Sequence, residues 1–272
     1  MFAFFKTRRR NALRARDFPP AWSEHLAQNV AYVSLLGEQD LAELRGHVQV
    51  FLAEKHFEGC GGLELTDEIR VTVAGQACVL LLHRQTDYYP RLESILIYPS
   101  TYVVTGGQRT PDGLVTEGPQ ARLGESWQQG VVVLSWDDVV AGAADIHDGH
   151  NVVLHEFAHQ LDQEDGSSDG APPLPRRSAY VAWARVLGQE YDDLVHQTAH
   201  HHRTLIDQYG ATNPAEFFAV VTETFFEKPR ELRARHADLY EQMQQFYAQD
   251  PASRLDEAPA KHRAPRPPTS PS

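Results

Sequence analysis

The chain has 272 residues, 42% of them hydrophobic, enough to bury a substantial core in one large domain or two small ones. Its formal net charge of -12 excludes a general nucleic-acid binder, because phosphate recognition needs a concentrated basic surface. Cys60 and Cys78 form no C-x-x-C pair, which excludes a disulfide framework or a cysteine-ligated metal site and favours a reducing, cytoplasmic location.

The N-terminal stretch MFAFFKTRRRNALRARDFPP departs from the acidic average, holding Lys6, Arg8, Arg9, Arg10, Arg14 and Arg16. Its short apolar run precedes its charges, the reverse of a secretory leader. Residues 1–19 therefore read as a solvated, partly disordered basic arm, with weak contact to a membrane surface or an acidic partner as the alternative. Elsewhere no run approaches the ~18 apolar residues of a spanning helix, so stable membrane insertion is not expected.

Beyond Pro19-Pro20, LGEQDLAELRGHVQVFLAEKHF places Leu41, Leu44, Val48, Phe51 and Leu52 at helical spacing. A glycine turn at Gly59, Gly61 and Gly62 leads to VTVAGQACVLLLHR, Val71 to Arg84, whose length and alanines favour a buried helix over a strand. SILIYP (Ser94 to Pro99) and VVVLSW (Val131 to Trp136) read as strands, separated by a segment rich in turn residues from Thr105 to Gly130. Helices are expected from about Ser178 to Ile206, Pro214 to Phe226 and Glu231 to Gln249, and residues 251–272 have the composition of a proline-rich disordered tail. Strands and helices in separate blocks imply an α+β fold, with residues 20–250 as the folded domain.

Between the second strand and the later helices lies NVVLHEFAHQLDQEDG, Asn151 to Gly166. An H-E-x-x-H match alone is only suggestive in a chain with fourteen histidines, so the context decides. On a helix, His155 and His159 share one face and can converge on a single ion. Leu154, Phe157, Ala158 and Leu161 form an opposing apolar stripe, with Asp148 available to cap the start and Gly166 to end the helix. The competing reading is a surface helix with solvated histidines.

Two histidines leave a third zinc ligand to be found, with a fourth position for water. Downstream candidates are Asp162, Glu164, His196, the run His200 to His202, Glu216 and Glu223. Adjacent helical residues point in different directions, so the histidine run cannot serve one ion as a unit. Asp162 suits orienting a ligand histidine better than reaching the metal. Glu216 lies three residues after Asn213, a fair N-cap, and before it Pro214 suits the first helical position; composition does not decide between capping glutamate and ligand.

HEFAHQLD followed by QYGATNPAEFFAVVTETFF resembles the gluzincin metallopeptidases of the Mlc titration factor A family and, more distantly, anthrax-lethal-factor-type peptidases. LIYPSTYVV, GESWQQGVVVLSWDDV and YEQMQQFYAQDP extend the likeness over most of residues 20 to 251. It implies an α+β zincin-like domain, its active-site helix below a small mixed sheet with helical N- and C-terminal parts. It also implies one zinc ion held by His155, His159 and Glu216, with Glu156 as catalytic base and Tyr209 as transition-state stabiliser. Peptide substrates and aminopeptidase-like cleavage follow, with VVVLSW as the substrate-binding sheet edge immediately before the active-site helix. The family name further implies an alternative role, binding and sequestering a transcriptional repressor of sugar uptake. Where the lethal-factor-type pattern has a glutamate four residues after its glutamate ligand, this chain has Val220, so support for the ligands falls to Asp162 or Glu223.

Overall fold

The computed structural model describes residues 2–100 and 130–257. The turn-rich segment expected from Thr105 to Gly130 lies almost wholly outside the described residues, as does the end of the tail. The architecture is α+β and zincin-like: a small sheet framed by helices.

Three parallel strands, β1 (His56–Gly59), β2 (Ser94–Tyr98) and β3 (Val131–Ser135), lie in the order β1-β2-β3. In β2 and β3 alternate residues are fully buried, among them Ile95, Ile97 and Val132, as a half-covered sheet requires. Among the described residues β3 is an edge strand.

Helices α1 (Phe2–Arg14), α2 (Pro20–Asn29), α3 (Glu38–Glu54) and α4 (Asp67–Val79) precede β2. Helix α4 is buried along nearly its whole length, which explains its lack of polar periodicity. After β3 the chain turns at once into α5 (Trp136–Ala144), capped by Ser135, and then into the histidine-bearing α6 (Val152–Asp162). A helix therefore separates β3 from α6, where direct succession was expected. Strand β3 nonetheless contacts α6.

The remaining helices are α7 (Arg177–Ala199), α8 (Pro214–Glu227), α9 (Pro229–Arg235), α10 (Ala237–Tyr247) and α11 (Pro251–Glu257). Every residue of α8 from Ala215 onward is buried, so it forms the centre of the helical half and packs along α6. The apolar side of α6 meets the main core through Phe157, whose ring lies 5.6 Å from Phe51 and 4.9 Å from Tyr89. One helix thus has a greasy face toward α3 and α4 and a titratable face toward α8.

Several sequence expectations change here. The helix expected to Ile206 stops at Ala199, where the histidine run begins and His201 adopts a left-handed φ of 55°. The single helix expected from Glu231 to Gln249 is two, broken at His236, whose Nδ1 lies 2.7 Å from Glu190 Oε2. The basic arm is helix α1, with Leu13 buried and Arg10 paired to Glu54 at 2.7 Å and Asp87 at 2.6 Å. The start of the expected tail is helix α11, pinned by Arg254 to Asp40 and by Asp256 to Arg230 and Arg233 at 2.8 Å each. In both cases charges that look solvated in sequence find partners contributed by distant segments.

Candidate metal centre

The N-terminus of α6 is built by Asn151. Its Oδ1 accepts the Leu154 N–H at 3.0 Å and its Nδ2 donates to the Gly142 carbonyl at 3.0 Å, so one side chain caps α6 and ties it to α5. Asp148, the cap expected from sequence, instead accepts the His150 N–H at 2.9 Å in the preceding turn. Gly166, with φ 101°, ends the short 3-10 turn that follows α6.

Helix α8 starts as its sequence suggests. Asn213 Oδ1 accepts the Glu216 N–H at 3.0 Å and Pro214 occupies the first turn. The Glu216 side chain, however, projects toward α6: its Oε2 lies 3.0 Å from His155 Nε2 and 3.3 Å from His159 Nε2, and the two imidazole nitrogens are 3.2 Å apart. This resolves the choice between cap and side-chain partner in favour of the histidines.

These three distances form a donor triangle with edges of 3.0, 3.2 and 3.3 Å. Ligands placed tetrahedrally at ~2.0–2.1 Å from an ion are separated by ~3.3 Å. Two imidazole nitrogens and one carboxylate oxygen, spaced at the edges of such a tetrahedron, fit a metal with one position left over. His159 is fully buried and Glu216 nearly so, whereas His155 is slightly open.

His155 is held from both sides. Its Nδ1 lies 2.8 Å from Glu223 Oε1, and the other oxygen of Glu223 accepts the Asn151 N–H at 2.6 Å. Glu223 is seven residues beyond Glu216 and hence on the same face of α8, as the sequence spacing allowed. It supplies the support that Val220 cannot. Asp162 Oδ2 accepts the Gly170 N–H at 3.0 Å. Gly170 has φ 75° and approaches Pro214 so closely that an added Cβ would lie 2.3 Å from its carbonyl oxygen. Asp162 therefore fastens the loop after α6 to the start of α8.

Electrostatics follow from this packing. Burial opposes charge on His155, but Glu216 and Glu223 outweigh it and hold its pKa at about 10. Burial and the neighbouring His155 keep His159 below the usual histidine range despite Glu216. Burial alone would raise the Glu216 carboxyl, yet the two histidines bring it down to about 2. Metal-free, the cluster thus holds one proton on His155 between two carboxylates.

Glu156 is buried between the two histidines in sequence. Tyr209 lies in a 3-10 turn, Gln208–Ala211, shaped by Asp207, whose Oδ1 accepts the Tyr209 N–H at 2.7 Å. The Tyr209 ring is 6.0 Å from that of His155. Partial burial, then Glu216 and Glu156, push its hydroxyl up to about 12, so it stays a hydrogen-bond donor at neutral pH. The His200 to His202 run is exposed at the end of α7 and remote from this cluster in role: His200 Nδ1 contacts the His196 carbonyl at 2.8 Å.

Comparison with known proteins shows the family. A family model described as glucose-regulated metallo-peptidase M90 matches residues 4–248, which include most of α1. An uncharacterized protein of Synechocystis sp. is 43% identical over 245 residues, 89% of either chain. Mlc titration factor A of Serratia proteamaculans is 34% identical over 250 residues, covering 89% of this chain and 92% of the relative. The same-named protein of Yersinia pestis is 33% identical over 234 residues, covering 85% and 86%. With that extent of match, the chain belongs to the glucose-regulated M90 metallo-peptidase family.

Proposed function

We propose that this chain is a zinc-dependent peptidase that acts, aminopeptidase-like, on short peptides in the cytoplasm. The observation that carries the reading is the triangle of His155, His159 and Glu216 donor atoms at tetrahedral spacing. Zinc, when bound, supplies Lewis acidity that polarises a carbonyl and makes water acidic near neutral pH.

The residues divide the remaining work. Glu223 fixes the ring of His155 through Nδ1, leaving Nε2 for the metal. Glu156 accepts the proton of the attacking water and delivers it to the leaving amine. The Tyr209 hydroxyl donates a hydrogen bond to the oxyanion that develops as water adds to the peptide carbonyl. The outer edge of β3 pairs with an extended substrate by strand addition beside α6.

Matched short peptides with free and acetylated amino ends test the cleavage mode. Turnover at least tenfold faster with the free amine supports aminopeptidase-like action, and equal turnover rules out amine recognition.

A second reading comes from the relatives named Mlc titration factor A. On it, the chain binds and titrates a transcriptional repressor, and hydrolysis is secondary. A Glu156→Gln protein that still restores repressor-controlled expression in cells favours this reading; one that fails while remaining folded favours chemistry.

A further inference from the structure

A cavity of about 500 Å³ has walls that include Gly149, His150, Arg203, Asp207, Gln208 and Lys228. Those walls belong to the segments that build the cluster. His150 precedes Asn151, the cap of α6; Asp207 and Gln208 lead into Tyr209; Lys228 follows the last residue of α8, which carries Glu216 and Glu223.

The charge of this cavity opposes that of the chain. Among the described residues neither Arg203 nor Lys228 forms an ion pair, in a protein of net charge -12. Asp207 is the one acid in the lining, and it is engaged: Oδ1 accepts the Tyr209 N–H at 2.7 Å and Oδ2 lies 3.9 Å from His150 Nε2. Lys228 is half-buried, with its stem lying against Gly149. Gly149 has φ 78°, and a Cβ there would lie 2.9 Å from Lys228 Nζ and 3.1 Å from Cε, so the glycine makes room for the ammonium. The cavity wall thus carries two cations outside any ion pair, half-buried Lys228 and exposed Arg203, against one engaged acid, which suits it to receive a carboxylate.

We propose that this cavity is a substrate subsite in which Arg203 and Lys228 bind a carboxylate of the peptide whose scissile bond lies at the metal cluster. The inference rests on the peptidase reading and adds a substrate class to it: short peptides bearing an acidic group. The group is either the C-terminal carboxylate or an aspartate or glutamate side chain. Net charge alone favours cationic peptides, but the local field at the site decides which charge is held.

Paired substrates distinguish the two sources. One series compares each peptide with its C-terminal amide, and the other compares glutamate with glutamine at internal positions. The expected result is kcat/KM about five- to tenfold higher for the acidic member, carried mainly by KM and shrinking as salt is raised. The preference should fall to about unity in an Arg203→Gln, Lys228→Met double variant. It should persist in Arg176→Gln, which removes a positive charge from an exposed site elsewhere. Equal turnover of acid and amide members by the wild type in both series, or a preference that survives the double variant, overturns the proposal. If the wild type cleaves none of the peptides, the same pairs are titrated calorimetrically into zinc-loaded Glu156→Gln protein. Tighter binding of the acidic member then sustains the subsite although the peptidase reading fails, and equal binding removes both.

Discussion

Glu223 Oε1 lies 2.8 Å from His155 Nδ1 and, through its other oxygen, 2.6 Å from the backbone nitrogen of Asn151. One carboxylate therefore orients a metal-facing histidine and anchors the start of the helix that carries it. Replacing it by glutamine keeps the shape and removes the charge. We expect Glu223→Gln to weaken zinc binding about 10–100-fold, the range typical for loss of a carboxylate behind a ligand histidine. Competition against a chromogenic chelator measures this, and unchanged affinity would show that His155 needs no such support.

Metal uptake should be strongly pH-dependent. The metal-free cluster keeps a proton on His155 up to about pH 10, and that proton must leave before Nε2 can bind an ion. Apparent zinc affinity should thus rise about tenfold per pH unit between about 6 and 8, with release of roughly one proton. Calorimetry in buffers of different ionisation enthalpy reads the proton directly. The linkage also affects the metal-free fold. Stability from charged His155 is fully present below its ordinary value of 6.5 and is lost as pH rises through about 10. Stability from ionised Glu216 is present above 4.5 and is lost as pH falls through about 2.

Tyr209→Phe removes the hydroxyl and leaves the ring beside His155. If that hydroxyl stabilises the oxyanion, kcat should fall about 10²–10³-fold while zinc content and KM change little. Steady-state kinetics with zinc quantified in each preparation checks this; a loss confined to KM would make Tyr209 a substrate-packing residue.

Glu227 closes α8 next to this network. Burial, then the charges of Asp148 and Glu223 against a counteracting contact with Asn151, push its carboxyl up to about 9. Neither of its oxygens makes a geometrically sound hydrogen bond among the described residues. A carboxyl whose pKa is raised by folding stabilises the fold only while protonated, so its contribution is greatest below 4.5 and declines as pH rises toward 9. Glu227→Gln should therefore stabilise the protein at pH 8, by on the order of 1–2 kcal/mol, and have little effect at pH 4. Thermal unfolding at the two pH values separates the outcomes, and a lower Tm at pH 8 would mean that the charged form has a partner.

The sequence made the metal cluster legible because its signals are local. Two histidines one turn apart, an apolar stripe on the other face, and Asn213 with Pro214 before Glu216 each reflect geometry within a single helix. Glu223 was legible as a spacing on the face of Glu216 and, beside Asp162, as a candidate to hold a ligand histidine; the contact with His155 Nδ1 bears that out. What spacing could not show was tertiary pairing. Asp148 and Asn151 are both competent caps, and only the approach of Gly142 favours Asn151. Asp162 stands one turn beyond the histidines, yet one of its oxygens bonds Gly170 across the loop. Arg10 and Arg254 lie in segments whose composition suggests disorder, and their partners Glu54 and Asp40 are supplied by α3. The carboxylate subsite was hidden for the same reason, since its cations lie on different elements and oppose the net charge.

The central claim is that Glu156 is a base beside a catalytic metal, and hydrolysis of short aminoacyl and peptide substrates by wild type and Glu156→Gln, with equal zinc content verified in both, tests it most directly. The account predicts measurable turnover by the wild type and at least a hundredfold loss in the variant at unchanged zinc occupancy. Equal turnover by the two proteins, or none by a fully zinc-loaded wild type, would contradict it and leave repressor binding as the reading to pursue.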